Sequence, residues 1–136
     1  LFGRRGYNID SLTVSATTNP KISRMSIIVQ GDEPILEQII KQLLKLEEVM
    51  RVDHLQEDDS CCSELVFVKL EAQNGSVRDD IRQLCGLYDA HIVETSDNAM
   101  IVELSDVPSR IDAFLDVISN FEVIEMSRSG VTAIQK

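Results

Sequence analysis

Tryptophan is absent from this 136-residue sequence, and only four Phe and two Tyr supply aromatic volume. Its core must therefore rest on Ile, Leu and Val, which a hydrophobic content of 43% permits. Positive charge is also scarce: 13 Lys and Arg face 23 Asp and Glu, for a net charge of −10. Such a chain repels phosphate backbones, and its basic residues form no stripe, so nucleic acid is excluded as the main partner. No apolar run approaches the roughly 18 residues of a membrane span. No secretory signal is visible either, and a cytoplasmic protein is expected.

The three cysteines, Cys61, Cys62 and Cys85, are too few and too irregular for a disulfide framework. An odd number fits a reducing compartment. Cys61-Cys62 lies near His54, Asp58, Asp59 and Glu64. Structural zinc, however, needs a gap of roughly two to four residues between paired cysteines, so that both thiolates reach one ion. A polar linker is the better reading, and no metal site is expected. His54 and His91 have no second ligand at useful spacing. Nucleophile elbows and phosphate-cradling glycine loops are missing. The acidic residues fall on expected outer faces and in the linker, so no catalytic residue is assigned.

What is present is one pattern used twice. Leu1-Phe2 with Arg4-Arg5-Gly6 reads as the last turn of a helix stopped by Gly6, so the sequence is read as a fragment starting partway through a module. Alternation marks a strand from Ile9 to Val14, with Ser11, Thr13 and Ser15 on its outer face. Asn19-Pro20 turns the chain into a return strand, Ser23 to Gln30, where Met25, Ile27 and Val29 share a face. Asp32 is a candidate N-cap. The following helix carries Ile35, Leu36, Ile39, Ile40, Leu43 and Leu44, a wide apolar stripe suited to lying on a sheet. A strand over Val49 to Leu55 is expected next, then a polar linker, Gln56 to Ser63.

The second copy runs through a strand at Leu65 to Leu70 and a turn at Asn74-Gly75. A helix follows, opened by the capping box Ser76-x-x-Asp79, with Val77, Ile81 and Leu84 inward. His91 to Thr95 and Ala99 to Leu104 read as a hairpin. A helix beginning near Pro108 presents Ile111, Phe114, Leu115 and Ile118 on one face, and Val123 to Ser127 closes the module. This is a β-α-β-β-α-β unit. The expected fold is α+β: two tandem ferredoxin-like modules, residues 1–57 lacking the first strand and residues 64–136 complete.

The run Arg5-Gly6-Tyr7-Asn8-Ile9-Asp10-Ser11-Leu12-Thr13-Val14, followed by Ser23-Arg24-Met25 and Gly31-Asp32, resembles the N-terminal ACT domain of the small regulatory subunits of acetolactate synthase. Further matches are Leu36-Glu37-Gln38-Ile39 in the first module, and Ile111-Asp112-Ala113-Phe114-Leu115 and Ser127-Arg128-Ser129-Gly130-Val131 in the second. The resemblance covers essentially the whole chain. It implies a non-catalytic subunit that activates a catalytic (large) subunit and confers feedback inhibition by valine in branched-chain amino-acid biosynthesis. It also implies a homodimer paired through ACT domains, with valine held at the dimer interface by the segment Tyr7, Asn8 and Ile9.

An amino acid needs oriented donors and acceptors. Asn8 offers one of each in its amide, and Ile9 offers backbone groups at a strand start. A small apolar space beside them would discriminate by roughly 1–3 kcal/mol per methylene. The opposing effector loop of that family, which carries an Asn and a Gly, has no counterpart in these residues. Thiamine diphosphate, magnesium and flavin (FAD) are implied for the catalytic partner and none for this chain. Read without the resemblance, Gly6-Tyr7-Asn8 is an ordinary helix-to-strand turn. An ACT-type sensor governing another enzyme, a transporter or a transcription factor is the alternative.

Overall fold

The structure, a computed structural model, describes residues 8–136. Contacts divide the chain into two compact units: residues up to Cys61 together with Thr132–Lys136, and Cys62–Val131. The expected helix end at Leu1 to Gly6 lies outside the described residues.

In the first unit, β1 (Asn8–Ala16) and β2 (Ser23–Gln30) form an antiparallel hairpin. The turn between them is pinned by side chains: Lys21 N–H donates to Asn19 Oδ1 at 3.0 Å, and Thr17 Oγ1 donates to Ile22 O at 2.8 Å. Helix α1 (Glu33–Leu44) follows, with Asp32 as the expected N-cap accepting from Ile35 N–H at 3.3 Å and Pro34 in the first turn. Gly31 is required before it, because a Cβ there would meet Ile35 Cγ2 at 2.8 Å.

Three expectations for this unit need correction. Leu12, Val14 and Met25 are 46%, 61% and 52% exposed, whereas Ser11, Thr13, Ser15 and Ser26 are half-buried. The Ser/Thr side of β1 is thus the more covered one. Alternation gives the two faces of a strand but not which one is inward. Thr13 Oγ1 is shut off from solvent and takes no hydrogen bond. The apolar stripe of α1 is also less used than its spacing implies: Ile39 is buried, while Ile35 and Leu44 remain exposed. Finally, residues 49–55 form no strand. A strand needs a neighbour for its ladder, and the only sheet holding β1 and β2 has those two strands alone.

The expected linker is partly structured. Glu57–Asp59 is a short 3-10 turn, and β3 (Ser60–Glu71) starts at Ser60. The second unit then runs α2 (Gly75–Tyr88), β4 (His91–Thr95), β5 (Ala99–Asp106), α3 (Pro108–Ile118) and β6 (Val123–Arg128). Its sheet has the order β4-β5-β3-β6, with every pair antiparallel. This is the β-α-β-β-α-β topology expected for the second module. A last strand, β7 (Thr132–Gln135), was not foreseen and pairs with β3.

Alternate residues of β3 and β5 make one face of the core: Val66, Val68 and Leu70 beside Leu104, Val102 and Met100. Ile81, Leu84 and Cys85 of α2 and Ile111, Phe114 and Ile118 of α3 complete the same cluster. Each such buried side chain contributes about 1.5–3 kcal/mol. The Tyr88 ring meets Phe114 edge-on at 5.3 Å, and the Arg110 guanidinium sits 5.2 Å from the Tyr88 ring centre.

The cap of α2 differs from expectation. Asn74, not Ser76, is the N-cap: its Oδ1 accepts from Val77 N–H at 2.9 Å, and the helix begins at Gly75. The short amide side chain two residues earlier reaches the free N–H first.

Candidate effector site

The residues singled out for effector binding fall at the entry to β1. Tyr7 lies outside the described residues. The backbone of Asn8 opens β1 opposite Gln30, and half-buried Ile9 stands opposite Val29. The ladder then breaks: Ser11 pairs with Ile28, so Asp10 has no partner in β2. A bulge of this kind leaves an extra residue outside the ladder and re-aims its neighbours, which suits a strand end that presents backbone groups to a ligand. β2 leads from Gln30 straight into Gly31 and the N-cap Asp32, so the opposite strand is anchored by a helix start. The sequence pattern did not reveal the bulge.

Other candidates separate from this place. His54 and His91 are exposed, Cys61 is exposed and Cys62 is half-buried. Among the described residues, no three His, Cys, Asp or Glu side chains gather as a metal site would require. Arg24 stands opposite Ser15 in the hairpin, and Arg4 and Arg5 lie outside the described residues. An open cleft of about 290 Å³ lies in the second unit, lined by Glu71, Gln73, Asn74, Val77, Phe121 and Glu122 among others. Its polar groups partly satisfy one another, since Gln73 Nε2 donates to Glu71 Oε1 and the Asn74 oxygen caps α2.

Sequence reasoning also missed a charge cluster. Glu64, only 5% exposed, accepts from Arg128 Nε at 2.8 Å, and Arg128 Nη2 reaches Asp112 Oδ1 at 2.8 Å. The Glu64 hydrogen bond, with a smaller contribution from Asp112, raises the Arg128 pKa above the usual arginine value despite partial burial. Arg128 was visible only as part of the Ser127 to Val131 string, with nothing local to name its partners.

Two sequence families match the chain. One, described as the small subunit of acetolactate synthase, covers residues 63–136. The other, described as an AHAS small subunit-like ACT domain, covers residues 1–51. The probable acetolactate synthase small subunit of Methanothermobacter thermautotrophicus is 41% identical over 136 residues, all of this chain and 81% of that protein. The acetolactate synthase isozyme 3 small subunit of Escherichia coli is 39% identical over 137 residues, all of this chain and 83% of that protein. A crystal structure of the Thermotoga maritima acetolactate synthase small subunit superposes with a TM-score of 0.88 at 31% identity, over 99% of this chain and 84% of that one.

Proposed function

From a chain that belongs to the family of acetolactate synthase small subunits, we propose a regulatory subunit that activates a catalytic partner and makes it sensitive to valine. The observation that carries this reading is the match of both halves, in order, to the ACT domain and the C-terminal domain of that family. The active-site cofactors, thiamine diphosphate, magnesium and FAD, reside on the catalytic subunit. The small subunit works in the cytoplasm as a homodimer paired through its ACT domains.

Valine binds at the entry to β1, where Tyr7, Asn8 and Ile9 contact it from the first module, residues 1–57. The bulge at Asp10 supports this placement, because it interrupts the hairpin ladder beside Ile9. The C-terminal module, residues 64–136, supplies the second half of the subunit. Effector and partner are linked by a coupling free energy, typically 1–3 kcal/mol in such systems. The linkage is reciprocal, so the catalytic subunit shifts valine affinity by the factor by which valine shifts subunit affinity.

Mixing the purified natural-length protein with the catalytic subunit tests the first half of this reading. Acetolactate formation should rise with added small subunit until saturation, and the two should co-elute on gel filtration. No activation and no co-elution would leave an ACT-type sensor of another enzyme, transporter or transcription factor as the better reading.

A further inference from the structure

Residues 132–136 belong by their contacts to the first unit, although they follow the second in sequence and fall within the match to the C-terminal family domain. β7 pairs with β3, whose first residues Ser60 and Cys61 are also in the first unit. Lys136 fastens it: its N–H donates to Asp59 O at 2.7 Å and its Nζ to Asp58 O at 3.1 Å. At the other end, Ala133 N–H donates to Ser26 Oγ of β2 at 3.4 Å. Ser26 stands opposite Thr13, on the half-buried Ser/Thr face of the hairpin. The departure point is fixed as well. Ser129 N–H donates to Leu65 O at 2.8 Å, Ser129 Oγ accepts from Leu65 N–H at 3.0 Å, and Gly130 takes φ 86°.

A two-stranded hairpin is marginal by itself in water, and this one leaves its apolar face, Leu12, Val14 and Met25, largely exposed. Its order must come from what touches the other face, and β7 supplies a hydrogen bond there. We propose that β7 is a strap: it holds the β1–β2 hairpin in place, so that loosening residues 132–136 loosens the strand that opens with Asn8 and Ile9. The regulatory half of this inference rests on the effector reading above. It gives the segment after Gly130 control over effector affinity without any contact to the effector.

Amide hydrogen exchange on the intact protein tests the strap without a ligand. Three variants are compared with wild type: Ala133→Pro, which removes the N–H that reaches Ser26; Ser26→Ala, which removes the acceptor gently; and replacement of residues 132–136 by Gly and Ser. Ala133→Pro and the replacement should speed exchange across residues 8–30 by about tenfold or more, and Ser26→Ala by less, while residues 66–70 and 100–104 stay unchanged. Unchanged exchange in the hairpin, or an equal rise in both units, would overturn the strap. A valine titration of the same variants then reads the regulatory half, with binding expected to weaken several-fold as the hairpin loosens. A loosened hairpin with wild-type valine affinity would overturn that half. Absence of valine binding by the wild type would instead sink the effector reading and leave the exchange result to decide the strap.

Discussion

Glu64 and Arg128 are 64 positions apart and meet as a charge pair inside the second unit, with the Glu64 side chain 2% and the Arg128 side chain 32% exposed. The pair ties the start of β3 to the end of β6, and the bond from Arg128 to Asp112 adds α3 to the same knot.

Arg128→Met should destabilise the second unit by about 1–3 kcal/mol, because it strands a buried carboxylate; partial exposure of the arginine keeps the loss below that of a fully buried pair. Restoring a neutral partner with Glu64→Gln in the same chain should recover part of it. Urea unfolding of the two variants measures both, and full additivity of the single changes would contradict the pairing.

Two positions on the backbone carry opposite expectations. Asp89 ends α2 with φ 59°, a left-handed conformation that glycine adopts without penalty. Asp89→Gly should therefore leave stability unchanged or raise it by up to about 1 kcal/mol. Gly130, at φ 86°, has the reverse relation to its backbone. Gly130→Ala should cost about 1–2 kcal/mol in thermal unfolding.

The Asp106 carboxyl accepts from Arg110 Nε at 2.7 Å and from Val107 N–H at 2.8 Å. The Arg110 bond, then the backbone bond, holds its pKa below the ordinary aspartate value. The stability it adds is thus present above the unfolded-state pKa and is lost as pH falls through the lower folded one. Asp106→Asn should flatten the decline of Tm below about pH 4, with a small effect because the pair is on the surface. An unchanged acid limb of the Tm profile would refute the assignment.

Cys85 is 4% exposed, and its burial pushes the thiol pKa up, whereas Cys61 is exposed. A maleimide should label Cys61 promptly in the native protein and reach Cys85 only on unfolding. Mass spectrometry of the labelled peptides reads the order directly.

The second unit was legible because its signals agree. Alternation from Leu65 to Leu70 and the helical spacing of Ile111, Phe114 and Ile118 all point to one core, and those residues make it. Val49 to Leu55 has strand composition, yet a strand depends on a neighbour that local sequence does not describe. The inward side of β1 escaped for a related reason: period-two alternation separates Leu12 and Val14 from Ser11 and Thr13 without saying what covers either face. β7 was missed because Thr132–Gln135 is short and lies beyond the last strand of a complete module. The candidate site was readable through the family resemblance alone. Its local pattern is an ordinary turn, and the Asp10 bulge follows from a register that only the paired strands define.

The central claim is tested most directly by a valine titration of acetolactate formation, using the natural-length protein assembled with its catalytic subunit, as wild type and as Asn8→Ala. Valine should inhibit the wild-type assembly, and Asn8→Ala should raise the half-inhibiting concentration by about tenfold or more, the loss of one charge-assisted hydrogen bond, while leaving activation intact. Equal sensitivity of the two assemblies would remove Asn8 from the effector site. A wild-type assembly indifferent to valine would contradict the effector assignment itself.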